Sequence, residues 1–351
     1  MYAIVKKERK PGLTILDVDS PKLKENDILV KVEVASICGT DVHIWKWDKW
    51  AQKRISKIPL VIGHEFAGKV VDVGSAVKSV RIGDRVSAET HIVDKTCYQC
   101  KTGKMHVCQN MKILGVDVDG AFAEYVAIPE MNAWKNDPNL ELEIATIQEP
   151  LGNAVHAILP SNSPEDIAGS YVAVLGCGPI GLMSIAVLRT LGAEKIFATE
   201  IVEKRLRLAE KIGADLVINP TTEDVVKIIH EETGGRGVDV VLEMSGAPSA
   251  IKQAFKIVTP GGRISLLGLP GEPIPLDISG DIVLRSVTIY GITGRRMFRT
   301  WFQVKGLLSR PDFRNRIKMI ISHKFPMRDI EKAMDLLAHG EAVKIVLEPK
   351  W

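Results

Sequence analysis

Several things are scarce in this sequence, and each scarcity closes a class of explanation. Excess charge is one: 46 Lys and Arg stand against 43 Asp and Glu, a net of +3. That balance gives no basic surface for a nucleic acid and no reason to expect a membrane as partner. A leader-like start is another. The opening residues, M-Y-A-I-V-K-K-E-R-K, contain no apolar core of the signal-peptide kind. Long apolar runs are also rare. The most conspicuous, Tyr171 to Leu188, is interrupted by Gly-Cys-Gly-Pro, which argues against a membrane span. Cysteine is sparse too. Five occur and three are bunched, a pattern that suggests metal ligation in a reducing compartment rather than a disulfide framework. The cytoplasm is the expected location.

What is present is an ordinary globular composition, 46% hydrophobic and 25% charged, over 351 residues, enough for two domains. The clearest organising stretch is Val172 to Glu200. Tyr171 to Leu175 reads as a buried parallel strand, and Gly176, Gly178 and Gly181 follow it as G-x-G-x-x-G. A helix and a second short strand ending at Glu200 complete a βαβ unit. In such a unit the glycines allow a tight turn, close approach of pyrophosphate, and packing of helix on strand. The helix N-terminus offers free N–H groups and the positive end of its dipole to phosphates. A carboxylate at Glu200 would accept hydrogen bonds from ribose hydroxyls and repel a 2′-phosphate, so NAD is expected over NADP. Arg205 is either an adenine-packing residue or a solvated helix residue.

The two halves of the chain have different rhythms. Before residue 150, short apolar runs (28–35, 66–74, 81–86, 123–129) alternate with Gly, Pro and Asp, which predicts a mostly β domain over 1–150. From about 151 to 293 strands and helices alternate, predicting six strands in a doubly wound parallel sheet. The tail, 294–351, is expected to rejoin the first domain.

Two constellations in the first half carry chemistry. Cys38-Gly-Thr-Asp-Val-His43 and Gly63-His64-Glu65 put a thiolate, an imidazole and a carboxylate on two turn-flanked segments. These are good zinc donors, with Glu65 either a ligand or a partner of His64. Asp94-x-x-Cys97-x-x-Cys100-x7-Cys108 has the spacing of a closed structural zinc lobe, with Asp94 in the place of the fourth ligand. The alternative there is a weak or empty site with three free thiols.

Taken together, these motifs resemble the zinc-dependent medium-chain dehydrogenases. Their signature G-H-E-x-x-G-x5-G-x2-V is matched by Gly63, His64, Glu65, Gly68, Gly74 and Val77. Longer stretches at 37–50, 148–156, 242–248 and 290–295 extend the likeness across nearly the whole chain. The resemblance implies a GroES-like catalytic domain joined to a Rossmann domain, commonly in a homotetramer. It implies a catalytic zinc on Cys38, His64 and Glu65, and a proton relay through Thr40 and His43. It puts Glu149 where relatives have a zinc ligand or an acid–base carboxylate. Ile180, Glu200, Arg205, Leu267-Gly268-Leu269 and Ile292-Thr293 would line the NAD site. Relatives usually have four cysteines in the structural lobe, and Asp94 departs from that. The implied reaction is oxidation of the 3-hydroxyl of L-threonine to 2-amino-3-oxobutanoate. Arg295 is the candidate clamp for the carboxylate. His91 and Glu149 are candidates near the amine and hydroxyl. A polyol such as sorbitol or 2,3-butanediol is the alternative substrate.

Overall fold

The computed structural model describes residues 1–161 and 167–351 and divides the chain into two compact units. The first comprises Met1–Glu149 and Ile321–Trp351, the second Pro150–Ile320. No helix among the described residues is long and apolar enough to cross a membrane.

The first unit is built around one long strand, Asp27–Ser36, whose side chains alternate between core and surface. It pairs antiparallel with Glu65–Val73 along its length, with Tyr125–Pro129 over its first half, and with Lys344–Glu348 at its end. The predicted strand at 81–86 is shorter and later. Residues 81–84 form a turn closed by Asp84 on the Arg81 N–H, and the strand is Arg85–Ala88. The core beneath the sheet is continuous and includes Phe66, Phe122, Ile28 and Ile345, all essentially inaccessible to water. The Phe122 ring packs directly against Gly63, the residue before His64, where a β-carbon would overlap it. The GroES-like reading is therefore realised as a sheet whose core ends beside the zinc motif.

The second unit is a six-stranded parallel sheet. In space its strands run Leu216–Ile218, Lys195–Thr199, Tyr171–Leu175, Val238–Glu243, Val258–Leu266, Thr288–Gly291. The inner strands were legible as apolar runs because a parallel sheet is buried on both faces there; the edge strand Thr288–Gly291 is largely exposed. The strand order reverses between Tyr171–Leu175 and Val238–Glu243, the switch point at which such sheets hold ligands at their carboxyl ends. The chain returns to the first unit later than the sequence pattern suggested. Residues 294–320 stay with the second unit. The reason is burial: the helices Arg299–Leu308 and Pro311–Lys318 hide Trp301, Phe313 and Ile317, and Arg316 reaches the Ile212 carbonyl.

Phe122 fills the space between sheet and Gly63, so its truncation has no inexpensive repair. Phe122→Ala should destabilise the first unit by about 3–5 kcal/mol, read as a shift of its unfolding transition in denaturant.

Candidate active site and metal centres

The end of the long strand gathers the first motif. Ser36 and Glu65 are direct register partners, so the two segments of the zinc motif meet there. Cys38 leaves the strand and caps the helix Gly39–Lys46. Asp41, in that helix's first turn, is fully buried. One of its oxygens accepts the Cys38 N–H at 2.8 Å and the other lies 3.6 Å from His64 Nδ1. A single carboxylate thus orients two candidate ligands, the usual work of an outer-shell group. Glu65 is fully buried; one of its oxygens is bound by the Ser36 hydroxyl and the Lys344 ammonium.

Donor atoms of Cys38, His64 and Glu65 lie within 4.8 Å of one another. His64 Nδ1, Asp41 Oδ1 and Glu65 Oε1 are buried without a hydrogen-bond partner. Such atoms are costly unless something compensates them. Asp41 Oδ1 and His64 Nδ1 face each other and so answer one another. A zinc ion among a thiolate, an imidazole and a carboxylate would answer Glu65 Oε1, and the donor set of Cys38, His64 and Glu65 fits it. Burial pushes the Asp41 pKa up to about 6, partly offset by His64. Burial opposes charge on His64 as well, but Asp41 and Cys38 outweigh it and carry its pKa up to about 10.

The other predicted residues of this unit fall in two groups. Thr40 is half-buried in the first turn of the helix that Cys38 caps. His43 is exposed one turn further on, its Nδ1 2.5 Å from Asp48 and its ring 5.6 Å from that of Trp50. Glu149 accepts the Thr90 hydroxyl at 3.2 Å, and its charge acts on His64. His91 is buried, its Nδ1 3.6 Å from Glu89. Asn132 ties the Glu89 and His91 carbonyls together.

The lobe is equally well assembled. Donor atoms of Asp94, Cys97, Cys100 and Cys108 share one cluster within 4.8 Å. Asp94 also organises the loop. It accepts the N–H groups of Thr96 and Cys97 at 2.8 and 3.0 Å and the Asn110 amide at 2.5 Å. These donors hold its carboxyl well below the usual range, so it stays an anion. Its own N–H points at Cys108 Sγ, 3.5 Å away. Three thiols and an anionic oxygen fit zinc here too.

In the second unit the glycine turn has the expected form. Gly176 has φ +100°, and a β-carbon there would meet Ser245. At Gly181 one would overlap the Gly176 carbonyl, whereas at Gly178 it would meet nothing within 4 Å. The open side is where a pyrophosphate would approach, at the N-terminus of the helix Pro179–Leu191. Ile180 is half-buried in that helix's first turn. Glu200 holds the turn together: it accepts the Cys177 N–H at 3.1 Å and those of Ile201 and Val202 at 2.9 and 3.1 Å. Arg205 lies 3.8 Å from its carboxylate. Leu267, Gly268 and Leu269 follow the strand Val258–Leu266, and Ile292 and Thr293 follow Thr288–Gly291, so both stretches stand at strand carboxyl ends.

Arg295 lies buried in the second unit. It is 1% exposed, its stem lies over Gly152, and it donates to Asn153 at 3.2 Å. Both contacts are with the helix Gln148–Ile158. Sequence reasoning also missed Asp41, Lys344, Glu89 and Asp48. Asp41 and Asp48 had a local signal, each standing at the start of a helix; Lys344 had none, being brought in by sheet register alone.

Comparison with known proteins gives the same picture. The pattern described as "Zinc-binding dehydrogenase" matches residues 179–310, and that described as "Alcohol dehydrogenase GroES-like domain" matches residues 24–138. An L-threonine 3-dehydrogenase of Caldanaerobacter subterraneus is 52% identical over 349 residues, 99% of each chain. One of Pyrococcus furiosus is 48% identical over 347 residues, covering 99% of this chain and 98% of its own. The crystal structure of 2R,3R-butanediol dehydrogenase from Bacillus subtilis superposes with a TM-score of 0.89 at 30% identity, over 99% of both chains.

Two separate donor clusters imply two ions. Protein prepared with zinc should contain two per chain by elemental analysis, and Cys38→Ser should contain one. If Cys97, Cys100 and Cys108 all react with a thiol reagent in the zinc-loaded protein, the lobe holds no metal.

Proposed function

We propose a function from one premise: the chain belongs to the zinc-binding dehydrogenase family. The activity is NAD-dependent oxidation of the 3-hydroxyl of L-threonine to 2-amino-3-oxobutanoate. One observation carries the choice of substrate. About half of all residues, along the full length, are shared with proteins called L-threonine 3-dehydrogenase, against 30% with a butanediol dehydrogenase of the same fold.

The reaction removes a proton from the hydroxyl and a hydride from the carbon, the hydride passing to nicotinamide and the proton to water. Zinc bound by Cys38, His64 and Glu65 supplies a Lewis acid that makes the hydroxyl proton easier to lose. Asp41 keeps the imidazole of His64 and the backbone of Cys38 in orientation for that task. Thr40 and His43 form the proton's way out, a hydroxyl, then the cofactor ribose, then an imidazole open to solvent. Asp48 holds one ring nitrogen of His43, leaving the other to exchange protons. Glu149 and His91 are the polar groups proposed to face the substrate's amine and hydroxyl. For the cofactor, the glycine turn and helix N-terminus take the pyrophosphate. A carboxylate has about four acceptor positions; backbone donors fill three on Glu200, leaving room for a ribose hydroxyl.

The cytoplasm is the proposed location, in keeping with five unpaired thiols. The proposed assembly is a homotetramer. Thr288–Gly291 is an edge strand with Ile289 exposed, and Val283 and Leu284 beside it are exposed as well, as a surface shared between copies would require.

NAD reduction measured with L-threonine, sorbitol and 2,3-butanediol side by side tests the substrate. Threonine should give the highest kcat/KM, and a preference for the diol would put the polyol reading in its place. Arg295→Ala should impair threonine and diol oxidation alike and lower Tm, as loss of packing would. A loss confined to threonine would return Arg295 to the carboxylate. Glu200→Ala should weaken both cofactors, because the turn loses three hydrogen bonds, and should also narrow the preference for NAD over NADP. Equal efficiency with both cofactors in the unmodified protein would rule out the role given to Glu200.

A further inference from the structure

We propose that Lys344 is a positioning residue that competes with zinc for the Glu65 carboxylate and so weakens the hold of the site on its ion. The inference rests on the reading of Glu65 as a zinc ligand. Sheet register places the groups. Ser36 faces Glu65 across one strand pair and Val346 across another. Lys344, two residues before Val346, is 1% exposed. Its ammonium forms an ion pair with Glu65 Oε2 and donates to the Ile37 carbonyl at 2.8 Å. The Ser36 hydroxyl donates to the same carboxylate oxygen. Glu65 Oε1 is left without a hydrogen-bond partner.

The two oxygens therefore have different fates. Oε2 is saturated by an ammonium and a hydroxyl, and Oε1 alone is available to an ion. That makes Glu65 a one-oxygen donor whose charge is already half claimed. Two electrostatic effects act in the same direction. A buried ammonium withdraws negative charge from the donor oxygen, and it would repel a dication bound to that carboxylate. Both are strong where water is excluded. The lysine also gives the carboxylate a partner when no ion is bound, which a fully buried anion needs. The site is thus held in shape without metal, at some expense in metal affinity.

The experiment is competition between purified protein and a chelator for zinc, with release rates recorded. Cys38→Ser, which removes this site, identifies the release phase that belongs to it. Lys344→Met keeps the length of the side chain and removes its charge. It should bind zinc at this site at least tenfold more tightly and release it correspondingly more slowly. Glu65→Gln should weaken binding, and adding Lys344→Met to it should tighten binding by much less than the same change does beside Glu65, because only the direct repulsion of the ion is then relieved. A merely structural defect would weaken binding in both backgrounds. If Lys344→Met folds only with zinc present, the release rate from the loaded protein decides: slower release supports the proposal, and equal or faster release overturns it. Unchanged or weaker affinity in Lys344→Met also overturns it. Unchanged affinity in Glu65→Gln would instead overturn the reading of Glu65 as a ligand.

Discussion

Charge taken out of water is the constraint around which the first unit is built. Asp41, Glu65 and Lys344 are all within 1% of full burial, and His64 is nearly so. An isolated ion in such a place would cost several kcal/mol, so each must be answered by another. Lys344 answers Glu65 through one oxygen, His64 answers Asp41, and the bare Glu65 Oε1 points to a cation. The sheet has to be in one register for this to work. Sliding any of the three strands by a residue would turn a charge into the core with nothing opposite it. The same electrostatics that suit a metal therefore also select the fold.

The second unit uses a related device at a different place. Two glutamates, Glu200 and Glu243, stand at the carboxyl ends of their strands or just beyond, both buried. Glu200 accepts backbone N–H groups from both the glycine turn and the turn after its own strand. Glu243 accepts those of Ser245 and Gly246, and burial keeps its pKa raised even so. Each carboxylate pins a loop whose shape the cofactor would read. Strand ends in a parallel sheet leave several N–H groups unpaired, and a buried carboxylate satisfies them in a fixed geometry. The acid proposed to choose the cofactor is thus also a structural fastener, and a substitution there would change two things at once.

The lobe at 94–108 repeats the theme on a small scale. Asp94 caps its own loop through two N–H groups while lying within reach of three sulfurs. A cysteine at that position could supply a softer donor to an ion but not the same capping. The replacement exchanges thiolate affinity for a loop that is closed by hydrogen bonds before any metal arrives.

By itself the sequence determined whatever is local. The inner strands of the parallel sheet were visible because burial on both faces demands unbroken apolar runs, and the edge strands because they recur in the same strand–helix alternation. The glycine turn, Cys38, His64-Glu65 and the three lobe cysteines were visible because spacing alone constrains their chemistry. Asp41 lay within the same reach, since a helix N-cap and its third residue are neighbours in the chain. Tertiary structure decided the rest. Arg295 drew attention as an arginine just beyond a strand; only tertiary structure shows it buried over Gly152 and bonded to Asn153. The helices of 299–318 looked like a returning tail because amphipathic periodicity does not say which surface the apolar face will cover. Lys344, the first residue of a short apolar strand, carried no signal of its own. Its partner lies on another strand far away in the chain, and register, which depends on the whole sheet, is what brings an ammonium to that carboxylate.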